Sequence, residues 1–114
     1  MRAAFISLMA GAPWAASEIL WAETAQRALD DGHEVFASVL RWPQRPALLE
    51  SLGQRGAQVT YRSRNRWIRR SALVARAVDL FAALRRFRPD VICLSQGGTY
   101  DIARSGSMVE LRRV

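Results

Sequence analysis

Residues 2–29 read RAAFISLMAGAPWAASEILWAETAQRAL, and this stretch decides the fold. Its first part, Ala3–Leu8, is almost continuously apolar, which is typical of a parallel strand covered on both faces. The residues over 10–16 are mostly small and cannot continue that strand. Ser17 can cap a helix, and Glu18 then lies in the first turn, where the helix dipole favours a carboxylate. The stretch therefore predicts a buried strand, a tight turn and a helix.

A strand that leads through a tight turn into a helix forms a potential anion site. The first N–H groups of a helix have no partner within the helix, so they point towards whatever lies at its start. We therefore predict a first-turn site made of Gly11, Ala15, Ala16, Ser17 and Glu18. The geometry alone is not specific, because many such turns bind nothing.

Length and composition describe one ordinary domain. The chain has 114 residues, half of them apolar, which is enough for one domain with a core. We expect no membrane span, since no run of 18 apolar residues occurs, and no signal peptide, since the first apolar run is short. Cys93 lies in the apolar run 91–94, which predicts a buried, reduced thiol and a cytoplasmic protein.

The charge is concentrated in the middle of the chain. The net charge is +7, every basic residue is arginine, and residues 41–88 hold twelve of the seventeen arginines beside Glu50 and Asp79. Such a segment indicates nucleic acid, a phosphate-bearing ligand or an anionic membrane as partner. A solvated arginine-rich face is an equally valid interpretation. The candidate surface anion contacts are Arg62, Arg64, Arg66, Trp67, Arg69 and Arg70.

Apolar periodicity predicts strands and helices in strict alternation. Beside the first strand, we predict helices over 18–31, 46–55 and 71–87 and strands over 34–40, 59–62 and 91–95. Because crossovers are right-handed, this order gives an α/β, Rossmann-like open parallel sheet with helices on both faces. The strand order that we expect for it is 3-2-1-4. Ligands bind such sheets beyond the carboxyl ends of the strands, where the strand order reverses. The loops 9–17 and 96–101 should therefore face one crevice, between strands one and four.

Three short motifs in a fixed order resemble a known family. They are AASE at 15–18, GHEV at 32–35 and RPDVI at 88–92. Together they resemble the N-terminal, acceptor-side domain of family 4 glycosyltransferases with the GT-B fold. The resemblance covers residues 2–102, as an incomplete domain, and leaves 103–114 as an irregular tail. The family has paired glycines where Ala15 and Ala16 stand here, and each added Cβ limits the approach of a diphosphate to the backbone.

The resemblance implies transfer of a sugar from a nucleotide-sugar donor to a sugar or lipid acceptor. This chain would supply the acceptor side, with its first turn near the donor phosphates. The family places the nucleotide-sugar site mainly in a second domain, so we expect the isolated chain to be a truncated, inactive form. The nucleotide-sugar is a substrate, and no cofactor is implied. The expected partner is the missing C-terminal domain, or a second copy through a self-associating sheet edge.

The loop after strand four supplies the acceptor-side candidates. They are Gln96, Gly97, Gly98, Thr99 and Asp101. Asp101 is a weak candidate for the base that takes a proton from an acceptor hydroxyl, and a plain turn residue is the alternative interpretation. The remaining catalytic residues stay unknown.

The sequence leaves one alternative function open and disfavours a receiver-like domain and a metal site. The alternative is a small basic α/β module that binds nucleic acid or, from the cytoplasm, the periphery of an anionic membrane through its arginine-rich middle third. A flavodoxin- or receiver-like domain is disfavoured, because the predicted ends of strands one and three (7–9 and 62–64) lack the acidic residues of a phosphoacceptor site. No metal site is expected, since His33 and Cys93 lie far apart without ligand spacing.

Overall fold

The computed structural model describes residues 1–9, 14, 16–62 and 80–96. Within these ranges the chain alternates four strands with three helices. The strands are β1 (Arg2–Ser7), β2 (Glu34–Leu40), β3 (Gln58–Arg62) and β4 (Val91–Ser95). The helices are α1 (Ala16–Asp30), α2 (Ala47–Gln54) and α3 (Leu80–Phe87).

The strands form one parallel sheet in the order β3-β2-β1-β4, as the sequence predicts. Each neighbouring pair is parallel, and Phe5 at the centre of β1 lies beside Ala37 of β2 and Cys93 of β4. The fold is therefore an α/β, Rossmann-like arrangement. All four strands end at the same edge of the sheet, which we call the carboxyl edge.

Helices cover both faces of the sheet. On the first face, Phe5 of β1 packs against Trp21 of α1, with their ring centroids 6.0 Å apart, and Leu52 of α2 belongs to the same core cluster. On the second face, α3 packs Leu84 against Phe36 and Ile6. The alternation of side chains along β1 and β2 supplies both cores, which is why these two central strands read as continuous apolar runs.

Glycine ends the first two helices, and an arginine ends the third. At the end of α1, Gly32 has φ +82°, and His33 N–H donates to the Ala28 carbonyl at 2.9 Å, which is a Schellman cap. Gly56, with φ +100°, closes α2 in the same way. Arg88 adopts φ +54° after α3, although it is not glycine. Its N–H donates to the Leu84 carbonyl at 2.8 Å, and Pro89 follows.

Two predicted helix starts are wrong in detail. Helix α1 begins at Ala16, so Ser17 lies inside the first turn and is not the residue before it. Pro46 precedes α2 as its cap, with ψ 140°, and the helix begins at Ala47. An extended ψ at Pro46 turns the chain from the loop into the helix, and a proline offers no side-chain cap. The part of the third predicted helix over 71–79 lies outside the described residues.

Strand β4 is correctly placed by the sequence, but its predicted burial is wrong. Cys93 is exposed, and Val91 and Leu94 are more than a third exposed. β4 is the last strand in the sheet order of the described residues, and α1 lies mainly over β1 and β2. An apolar strand composition therefore indicated burial that its position at the end of the sheet does not provide.

Candidate functional site at the carboxyl edge

The ends of β1 and β4 meet at the carboxyl edge. Leu8 N–H donates to the Ser95 carbonyl at 2.8 Å, and Ser7 lies beside Ser95 in the strand register. The loops that follow these two strands therefore start side by side, with Met9 on one and Gln96 on the other. This confirms the predicted adjacency for the described beginnings of both loops.

A buried carboxylate joins helix α1 to the end of β4. Glu18, in the first turn of α1, is only 2% exposed. Trp21 Nε1–H donates to its Oε2 at 2.9 Å, and the Ser95 hydroxyl donates to its Oε1 at 3.3 Å. The position near the helix N-terminus stabilises the negative charge, and the two donors offset part of its loss of water.

Glu18 changes what the first turn can bind. A carboxylate near the helix start repels a second anion, because like charges at short range in a partly buried site raise each other's energy. The same oxygens retain lone pairs that can accept hydrogen bonds from hydroxyl groups. The described part of the first turn is therefore better suited to hydroxyl groups than to a phosphate.

A narrow cleft opens beside Glu18, and we call it the carboxyl-edge crevice. It lies on the first face, over the ends of β1, β2 and β3, and encloses only about 10 Å³, the size of one water molecule. Its mouth opens to solvent, and most of the side chains that line the crevice are aromatic or polar. Those that matter here are Trp14, Glu18, Trp42, Gln44, Arg45 and Tyr61.

The aromatic rings at the mouth are held by packing. Trp14 contacts Trp21 edge-on, with centroids 6.3 Å apart, and Trp21 in turn packs on the core. The Arg45 guanidinium lies over the Tyr61 ring, 4.6 Å from its centroid, in cation–π geometry. Aromatic side chains therefore border the crevice next to Glu18.

The structure describes only some of the predicted site residues. Ala16 is exposed and Ser17 half-buried at the start of α1, and Gln96 is exposed directly after β4. The rest lie outside the described residues, and they are Gly11, Ala15, Gly97, Gly98, Thr99 and Asp101 in the two loops and Arg64, Arg66, Trp67, Arg69 and Arg70 in the basic segment.

Three arginines of the basic middle segment have partners within the chain. Arg62 is half-buried, and its Nη2 donates to the Ser7 carbonyl, so the guanidinium reaches from β3 to the end of β1. Arg55 pairs with Asp30, joining α2 to α1. With Arg45 on Tyr61, these side chains support the fold as well as contributing charge.

The loop after β2 contributes to the crevice, although none of the predicted site residues lies in it. Trp42, Gln44 and Arg45 line the crevice, and so does Tyr61 near the end of β3. A signal was present, because every strand of a parallel sheet ends at the same edge, so a loop containing tryptophan and arginine after strand two belongs there too. The cleft consequently lies over β1–β3, whereas the prediction was a crevice between strands one and four.

The described ranges show neither a metal cluster nor a membrane helix. No group of three or more His, Cys, Asp or Glu side chains in them could hold an ion. None of the helices they contain is both long enough and apolar enough to cross a bilayer.

No protein family model, no curated protein and no solved structure matches the chain. Its function must therefore be argued from its own residues.

Proposed function

We propose that this chain is the acceptor side of a GT-B glycosyltransferase of the family 4 type, and that it acts with a donor-binding domain. Two things support the proposal. The first is the ordered set of motifs over residues 15–18, 32–35 and 88–92. The second is the parallel sheet of order β3-β2-β1-β4, with a crevice at its carboxyl edge.

One observation carries the choice of the acceptor side. Glu18 is a buried carboxylate that lines the crevice and receives hydrogen bonds from Trp21 and Ser95. It opposes a phosphate and can accept hydrogen bonds from hydroxyl groups. An acceptor sugar has hydroxyl groups and an apolar ring face, which the rings of Trp14 and Trp42 can contact.

The enzyme class sets a clear expectation for the isolated chain. Sugar transfer needs the donor held in line with the acceptor hydroxyl, and that positioning supplies much of the rate. A chain that holds the acceptor alone should bind glycosides and transfer nothing.

The test compares acceptors with donors on the same protein. Methyl glucoside and methyl mannoside are titrated against UDP-glucose and GDP-mannose, with ¹H–¹⁵N NMR following the Trp42 indole and the Leu40 amide. We expect a glycoside to shift both signals and the nucleotide-sugars to bind at least about tenfold more weakly, a difference of about 1.4 kcal/mol. Transfer by the isolated chain, tighter nucleotide-sugar binding at the crevice, or no glycoside binding would each contradict the proposal.

A second function is favoured by the exposed arginines at the end of α3. Arg85, Arg86 and Arg88 are all exposed and follow one another closely. In this alternative the chain is a basic module that contacts nucleic acid or an anionic membrane surface. Such binding weakens steeply with salt. Filter binding of a mixed-sequence oligonucleotide and sedimentation with phosphatidylserine vesicles, each at 50 and about 300 mM salt, distinguish the two partners, and no binding at low salt removes this alternative.

A further inference from the structure

A second, larger cavity lies at the opposite edge of the sheet. It has a volume of about 980 Å³, which is in the size range of small-molecule sites, and we call it the amino-edge groove. It runs past the starts of β1, β2 and β3 and along the C-terminal half of α3. Neither the proposed sugar transfer nor the first-turn site uses this edge.

The wall of the groove along α3 and the second face of the sheet is largely apolar. Phe36 and Phe87 contact each other there, with ring centroids 5.5 Å apart, and Ala83 lies one turn before Phe87. Phe36 is almost fully buried, while Phe87 and Ala83 are half-buried and so present apolar surface to the groove. Thr60 of β3 adds a hydroxyl on the same side.

The charges along the groove are mostly positive. Arg2, Arg55 and Arg86 line it, against a single carboxylate, Glu34. His33 also lines it, with its Nδ1 lying 3.4 Å from the Met1 amino nitrogen. Two acidic residues stand close by: Asp30 pairs with Arg55, and Asp90 accepts a hydrogen bond from the Arg2 backbone N–H at 2.7 Å.

Arg86 is the cation best placed to meet a ligand. Its side chain is exposed and makes no hydrogen bond or ion pair with any residue in the described part of the chain. It precedes Phe87 on α3, so a cationic group and an apolar surface lie side by side at one end of the groove. Arg85 in the same last turn and Arg88 just after the helix are also exposed, and both add positive charge nearby.

From this arrangement we infer that the amino-edge groove binds a small amphipathic anion. The apolar body lies against Phe87 and Ala83, and the anionic group meets Arg86. Charge complementarity selects the anion, because Arg2 and Arg86 make no side-chain ion pair with a described residue, and Glu34 is the one carboxylate among the described lining residues.

Two matched naphthalene probes test the inference on the full chain. One is 8-anilinonaphthalene-1-sulfonate, and the other is N-phenyl-1-naphthylamine, which has the same ring system without the sulfonate. We expect the sulfonate to bind more tightly than the neutral amine and to weaken as salt rises, because the charge contact is solvent-exposed and screened. Its NMR shifts should fall on Thr60 and Phe87 and not on Trp42.

The paired variants Arg86→Gln and Arg85→Gln identify the cation. Both are exposed on α3 and both lose one charge, but only Arg86 lines the groove. Arg86→Gln should weaken sulfonate binding about fivefold, and Arg85→Gln should change it less than about twofold. Equal effects of the two variants, equal binding of the neutral probe, or shifts centred on Trp42 would overturn the inference. Urea unfolding of each variant separates a loss of binding from a loss of fold.

Discussion

Removing the Glu18 side chain should show how much its buried hydrogen bonds stabilise the fold. In Glu18→Ala, the Trp21 Nε1–H loses its acceptor at a residue that is only 6% exposed. A buried donor left without a partner costs about 1–3 kcal/mol, and the one lost methylene adds about 0.8 kcal/mol. Relief from burying a charge offsets part of this. We expect the free energy of unfolding to fall by about 2 kcal/mol.

A double-mutant cycle isolates the hydrogen bond from the other effects. Trp21→Phe keeps a ring in the core but removes the donor and part of the indole ring, so it should cost about 2 kcal/mol. In the double variant no indole N–H remains to be left without a partner, so the loss should be about 1.5 kcal/mol smaller than the sum of the single losses. Urea unfolding followed by far-UV circular dichroism gives each value. Additivity within about 0.3–0.5 kcal/mol would refute the reasoning, because it would mean that Glu18 and Trp21 do not interact.

Three further outcomes follow from the described residues. Arg88→Gly should raise the free energy of unfolding by about 0.5 kcal/mol, because glycine removes the strain of φ +54°. Arg85→Gly, inside α3, should lower it by about 1 kcal/mol, and a shift of both melting temperatures in the same direction would contradict this. Ser38→Ala should raise the free energy of unfolding by about 1 kcal/mol, since the Ser38 hydroxyl is fully buried and has no hydrogen-bond partner in the described ranges. A lower free energy of unfolding, measured with urea, would contradict this. Cys93 should react with Ellman's reagent in the native protein, because β4 exposes it, and protection until unfolding would mean that this edge is covered.

The strands were predictable because the apolar runs and the residues that flank them mark the same limits. The strand limits 34–40 and 91–95 match the structure, since apolar runs between a helix-ending glycine or proline and a polar residue have clear ends. Right-handed crossovers favoured a parallel sheet with helices on both faces, and the expected strand order 3-2-1-4 is confirmed. The two predicted helix starts are off by one or two residues. Residues such as Ser17 and Pro46 occur both as helix caps and in the first turn, so their presence does not fix where a helix begins.

Burial and the site were harder to predict, because both depend on which helices and loops cover each strand. The predicted order already has β4 at the end of the sheet, but the apolar sequence VICLS indicates burial, and the exposed Cys93 shows that position outweighs composition here. Glu18 carried no signal of burial, since its two donors come from Trp21 in the same helix and from Ser95, 77 residues away. The crevice residues Trp42 and Arg45 lie in a loop that local patterns leave without a role.

Every proposal for the carboxyl edge depends on β1 ending beside β4. The contact that defines this is the hydrogen bond from Leu8 N–H to the Ser95 carbonyl, 2.8 Å in length. Scalar coupling across that bond, between the Leu8 amide nitrogen and the Ser95 carbonyl carbon, can be measured by NMR on labelled protein. The account predicts a detectable coupling for this pair. A coupling from Leu8 to another carbonyl, or a Leu8 amide that exchanges freely with solvent, would contradict it.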